Sequence, residues 1–177
     1  MSLFLAFIVA LFTEMYGLPL TVFLLTVALG RLPFANPFAH SSGNLWASLL
    51  LGPAWAGWLM GLGGLIMLAS FLPIKQGWRI IHKAQSDELV TTGIYGVVRH
   101  PQYAGLILLV LGALIQWPTL ITLVMAPIMI AAYDRLARRE EQELEARFGE
   151  IYRSYKAQVP AFLPRWDDVR RALEAHP

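Results

Sequence analysis

The sequence predicts an all-α integral membrane protein, a bundle of about four transmembrane helices followed by a cytoplasmic C-terminal helix. Three observations predict it. Of the 177 residues, 56% are hydrophobic and only 15% charged, where a soluble domain carries about 25% charged residues. Mean hydropathy is +0.53. The apolar residues are gathered into stretches that approach the roughly 20 residues a bilayer demands. The formal charge of +2, with no basic stripe, excludes a nucleic-acid partner. The absence of cysteine excludes disulfides, thiolate catalysis and iron–sulfur clusters.

The first apolar stretch runs from Leu3 to Leu29 and holds one acid, Glu14, beside the Gly17-Leu18-Pro19 interruption. A carboxylate inside an apolar span is costly, so it should face the bundle interior. There it either meets substrate or stays protonated against Tyr16 or a carbonyl freed by Pro19. The lack of a basic segment before this stretch argues against a signal peptide. The second stretch, Ala54 to Leu72, is uncharged and has Gly57, Gly61 and Gly64 on one helical face. That spacing predicts a seam of close helix–helix packing. The third and fourth, Tyr103 to Gln116 and Pro118 to Ala132, are short and separated only by Trp117-Pro118, which predicts a thin helical hairpin. Trp46 to Leu51 is too short to span.

Basic residues set the orientation. Lys75, Arg79, Lys83 and Arg99 fall between the second and third stretches, and nine more follow the fourth, whereas only Arg31 follows the first. The positive-inside tendency then places both termini and the polar linker on the cytoplasmic side. A single domain is expected, with N-terminal spans over 1–72, a motif-bearing region over 73–164 and a tail over 165–177.

Beyond the fourth stretch, Asp134 to Tyr155 reads as a charged helix with an apolar stripe of Leu136, Leu144 and Phe148, ended or bent at Gly149. So narrow a stripe cannot fold alone. The helix is expected to dock on the Lys75–Pro101 linker, bringing Glu140 toward His100. Tyr152, Tyr155 and the Val159–Pro164 run would then pack back against the linker. A solvated helix trailing from the last span is the alternative.

The four histidines share no metal-ligand spacing, and no metal site is expected. No serine-hydrolase elbow is present, and Gly61-Leu62-Gly63-Gly64 has no preceding strand to make it a dinucleotide loop. Chemistry concentrates instead in Leu89-Val90-Thr91-Thr92-Gly93-Ile94-Tyr95-Gly96-Val97-Val98-Arg99-His100-Pro101-Gln102-Tyr103-Ala104-Gly105. Pro101 disposes His100 to an extended backbone and can open the next helix. Arg99, His100 and the free amides of that helix start make a seat for a carboxylate or phosphate. Arg and Tyr also serve simply as interfacial anchors. Both readings stand on residue types alone.

This string, together with Arg138-Arg139-Glu140-Glu141-x-x-Leu144-x-x-x-Phe148-Gly149-x-x-Tyr152-x-x-Tyr155 and the Val159-Pro160-x-Phe162-x-Pro164 ending, resembles the isoprenylcysteine carboxyl methyltransferase family. Related phospholipid methyltransferases carry looser versions of both motifs. The resemblance covers about Gly77 to Pro164. It implies a membrane methyltransferase whose cofactor is S-adenosylmethionine and whose partner is a lipophilic or lipid substrate. On this chain it assigns cofactor contacts to Glu88, Leu89, Val90, Tyr95, His100, Pro101, Gln102, Tyr103 and Glu140. Arg99 and His100, the proposed anion seat, are also catalytic candidates. Where the eukaryotic enzymes carry a substrate-linked arginine this chain has Leu136, so Arg135 and Arg138 become the catalytic candidates in its place. Glu14 and Arg135 are the substrate-binding candidates. A carboxylate acceptor needs no general base, which favours an isoprenylcysteine-like compound or a thiol. A phospholipid N-methyltransferase, and a non-enzymatic protein retaining the scaffold, are the alternatives.

Overall fold

The computed structural model describes residues 5, 6, 8, 9, 12, 13, 20–30, 44–82 and 88–165. Glu14 and His40 lie outside the described residues. Every regular element among them is helical, with no strand. Helix α1 covers Leu20–Leu29, and a π-type turn at Ala47–Leu51 and a 3-10 turn at Pro53–Trp55 lead into α2, Ala56–Ile81. A 3-10 turn at Gly93–Gly96 precedes α3, Pro101–Gln116, which is followed by α4, Leu120–Phe148, and α5, Glu150–Gln158.

Two boundaries differ from the sequence reading. Helix α2 does not end at Leu72 but continues through Pro73 to Ile81. Proline removes one backbone hydrogen bond, yet long apolar helices tolerate it where neighbouring groups satisfy the freed carbonyl. The second arm of the hairpin and the charged helix are likewise one element, α4, which passes through Pro127 without ending. It stops at Gly149, whose φ of +54° favours glycine, and α5 begins at the next residue.

Of these helices, Pro53–Ile81 and Leu120–Phe148 are long and apolar enough to cross a membrane. With 16 residues, α3 is about 24 Å long, short of the roughly 30 Å of a hydrocarbon core. The expectation of four spans therefore reduces, among the described residues, to two helices of spanning length and a shorter apolar one. The core helix of a soluble protein would be mostly covered, whereas only 11% of the apolar window of α2 is buried. Trp58, Leu65, Leu68 and Phe71 all stand exposed. An apolar surface of that extent is suited to lipid.

The chain forms two compact units, Met1–Ala69 with Leu108–Ala131, and Ser70–Ile107 with Ala132–Pro177. In the first, α2 and α3 pack so closely that a Cβ on Gly63 would lie 2.5 Å from the Gln116 nitrogen and 2.6 Å from the Gly112 carbonyl. The seam expected at Gly57, Gly61 and Gly64 is not formed among the described residues, where a Cβ at any of these meets nothing within 4 Å. The packing face is rotated to Gly63. The C-terminal carbonyls of α3 are satisfied by side chains, with Asn44 Nδ2 donating to Gln116 at 3.0 Å and Trp46 Nε1 to Leu114 at 2.9 Å. Thr119 and Thr122 cap the start of α4 reciprocally, each backbone N–H donating to the other's hydroxyl.

In the second unit, Gly105 of α3 lies against α2, where an added Cβ would meet the Ser70 carbonyl at 2.7 Å. At Gly77 it would meet Pro101, Gln102 and the Tyr95 hydroxyl. These two glycines draw the end of α2, the Gly93–Gly96 turn and the start of α3 together.

Candidate active site

The linker arrives at α3 through Arg99 and His100, and both backbone N–H groups are used. Arg99 donates to the Pro160 carbonyl at 2.9 Å and His100 to Ala161 at 3.0 Å. The chain after α5 is thereby stitched to the chain before α3. The amides of residues 99 and 100 are thus not open to a ligand. Tyr155 adds a third tie, donating to the Tyr95 carbonyl at 2.6 Å.

Side chains reinforce the same junction. Arg99 donates to Glu141 through Nε and Nη2, at 3.1 and 2.8 Å, and through Nη1 to the carbonyls of Lys156 and Val159. His100 Nε2 lies 3.0 Å from the same Glu141 oxygen, and Lys156 Nζ lies 2.9 Å from its other oxygen. Burial alone would raise the Glu141 carboxyl, but the bonds from Lys156, His100 and Arg99 outweigh it and hold it at about 2. Glu141 lies in the charged half of α4, past its apolar stretch. The guanidinium of Arg99 is therefore committed to this brace.

Above the brace lies a cavity of about 310 Å³, at the small end of sites that hold small molecules, about 300–1,000 Å³. Glu88, Leu89, Val90, Tyr95, Arg99, His100, Pro101, Gln102, Tyr103 and Glu140 all line it. Every cofactor-contact candidate of the sequence reading is among them. Glu140 Oε2 stands 3.6 Å from His100 Nδ1, and Tyr103 donates its hydroxyl hydrogen to Glu140. Burial raises the Glu140 carboxyl, but these hydrogen bonds outweigh it and leave it below the usual range. Burial, aided by the charge of Glu140, pushes the Tyr95 hydroxyl up to about 12.

The structure does not bring Arg135 or Arg138 to this cavity. Both are exposed, and Arg138 pairs with Asp134 one turn back, at 2.8 Å. Leu136, expected in the docking stripe, is exposed too. The covered face of α4 carries Ala137, Glu141 and Leu144 instead. Their spacing of four and three is the helical signal that points to Glu141, and its charge hid it among the neighbouring acids. Ile81, Leu144, Tyr152 and Tyr155 complete the lining.

Truncation after Gly149 removes the carbonyls of residues 159–161, Lys156 and the Tyr155 tie. The truncated chain is expected to insert in membranes as the full chain does and to lose binding to the cavity. Retained binding, measured by calorimetry in detergent, refutes the stitching role of the segment beyond α5.

A helical membrane protein with an acidic, aromatic cavity lined by the linker, the start of α3 and the charged half of α4 is the class these features define. The model of the phospholipid methyltransferase family matches residues 51–151, and the chain belongs to that family. Methanethiol S-methyltransferase 2 of Bradyrhizobium diazoefficiens is 29% identical over 148 residues, covering 78% of this chain and 54% of its own. The protein-S-isoprenylcysteine O-methyltransferase of Schizosaccharomyces pombe is 34% identical over 87 residues, 48% of this chain and 37% of its own. The chain thus spans about half the length, or less, of these curated relatives. No solved structure matches it.

Proposed function

We propose that this chain transfers a methyl group from S-adenosylmethionine to a lipophilic acceptor bearing a carboxylate or a thiol. One observation carries the reading: nine residues drawn from the linker, the start of α3 and the charged half of α4 line a single cavity. Their chemistry suits the cofactor. Glu140, kept ionised, accepts hydrogen bonds from ribose hydroxyls or an ammonium group. The Tyr95, Tyr103 and Tyr155 rings offer π faces to a cationic centre. Ile81, Leu89, Val90 and Leu144 supply apolar wall for a purine. The cofactor, when bound, supplies a methyl group on a sulfonium sulfur.

The residues of the chain align the reactants and keep water out. The raised Tyr95 hydroxyl stays protonated and donates, so it does not serve as a base. A carboxylate needs none, and a thiol releases its proton far more readily than an ammonium group. The relatives' names, a methanethiol S-methyltransferase and a protein-S-isoprenylcysteine O-methyltransferase, support the same acceptor chemistry. With four spans, the excess of basic residues around the motifs supports a cytoplasmic side for the cavity.

Labelled methyl transfer into total membrane lipids and thiols, with the product identified, tests the reaction. Labelled phosphatidylethanolamine products establish N-methylation instead, and binding without any product establishes a scaffold protein. For the pocket, His100→Ala and Glu140→Ala are each expected to weaken S-adenosylmethionine binding about 10- to 150-fold, the worth of a hydrogen bond involving a charged group. Wild-type affinity in both folded variants refutes the pocket.

A further inference from the structure

Tyr152 lies in the first turn of α5 and lines the cavity, although only 1% of the residue is exposed. Among the described residues, its hydroxyl is the buried side-chain polar atom that finds no hydrogen-bond partner. The other tyrosines of the lining are all bonded: Tyr155 to the Tyr95 carbonyl, Tyr95 to the Gly77 carbonyl and Tyr103 to Glu140. A buried hydroxyl without a partner is destabilising, whereas phenylalanine would fill the same volume without that penalty. A buried hydroxyl on a residue that lines the cavity, with nothing in the protein to bond, points to a ligand.

We propose that Tyr152 is a ligand-binding residue whose hydroxyl donates a hydrogen bond to a neutral acceptor on the nucleoside half of the bound cofactor. This rests on the reading of the cavity as an S-adenosylmethionine site. The hydroxyl is able to donate, because burial, reinforced by the charge of Glu141, raises it to about 12 and keeps its proton. The neutrality of the acceptor follows from the surroundings. Glu141, Glu145 and Glu140 all act on this hydroxyl. Arg99, the cation that also acts on it, is already held by Glu141 and by the carbonyls of Lys156 and Val159. A ligand carboxylate brought there would meet like charge, and a ribose oxygen or purine nitrogen would not.

The test uses the full chain in detergent with two probes: S-adenosylhomocysteine, and 5′-methylthioadenosine, which has the nucleoside but no amino-acid carboxylate. Tyr152→Phe is expected to weaken both about tenfold by calorimetry, the order of one hydrogen bond. Thermal unfolding without ligand is expected not to fall, since the substitution removes an unbonded group. Tyr155→Phe, which removes a bond to the Tyr95 carbonyl, is expected to unfold at lower temperature. Equal affinity of wild type and Tyr152→Phe for both probes overturns the ligand role. A loss confined to S-adenosylhomocysteine overturns the nucleoside assignment. A lowered unfolding temperature with unchanged affinity gives the hydroxyl a structural partner and also overturns the proposal. If wild-type protein binds neither probe, the cofactor reading itself fails, and this one with it.

Discussion

Replacing Glu141 with alanine is expected to destabilise the second unit by about 3–5 kcal/mol, the usual consequence of removing one partner from a buried ion pair. Its two oxygens receive Arg99, His100 and Lys156, and the side chains of Arg99 and Glu141 are only 11% and 10% exposed. Alanine leaves a guanidinium buried without its counter-charge. The adjacent Glu140 is expected to behave oppositely: its side chain is 48% exposed, so alanine there weakens ligand binding with little loss of stability. Thermal unfolding and calorimetry on the two variants check the contrast, and equal unfolding temperatures refute it. The brace also sets a pH dependence. The carboxyl is depressed from 4.5 to about 2, so its contribution is complete above pH 4.5 and is lost as the pH falls toward 2. Protection of the 132–165 segment from proteolysis is expected to decline over that interval, and Glu141→Gln is expected to flatten the decline.

Gly63→Ala is expected to destabilise the first unit by about 1–3 kcal/mol through overpacking. The added methyl would collide with the backbone of Gly112 and Gln116, which cannot swing aside as a side chain can. Gly57→Ala and Gly64→Ala meet open space and are expected to be neutral, or to stabilise by up to about 1 kcal/mol through helix propensity. Unfolding temperatures of the three variants decide it: if Gly63→Ala matches Gly64→Ala, the close contact is not formed.

The same glycines show what the sequence could reveal. Gly61-Leu62-Gly63-Gly64 announces a place of close approach, but neighbouring residues on a helix differ by about 100° in direction. Which glycine faces the partner depends on the rotation of α2, and that is a tertiary quantity. The two acids at 140 and 141 pose the same problem. The resemblance assigned a cofactor contact to Glu140 alone, and nothing local gave Glu141 its place in the brace, which depends on the rotation of α4. Pro101 and Gly149 were legible because their information is local: a fixed φ that can open a helix, and a left-handed φ that lets one end. The continuation of α2 past Leu72 and of α4 past Ala132 was not legible, because the end of an apolar stretch marks a change of surroundings and not the end of a helix. The unbonded hydroxyl of Tyr152 was out of reach, since only coordinates show that a donor lacks an acceptor.

The bonds from residues 99 and 100 to the carbonyls of 160 and 161 also fix an order of events during biosynthesis. Residue 160 is translated 61 positions after Arg99, a delay of about 3–12 s at 5–20 residues per second. Within that interval α3 and the apolar part of α4 are completed, while the acceptors for the Arg99 and His100 amides do not yet exist. A nascent chain can therefore gain its apolar helices well before its cavity has a wall. Maturation of the site is a late step of synthesis, separable in time from entry into the bilayer.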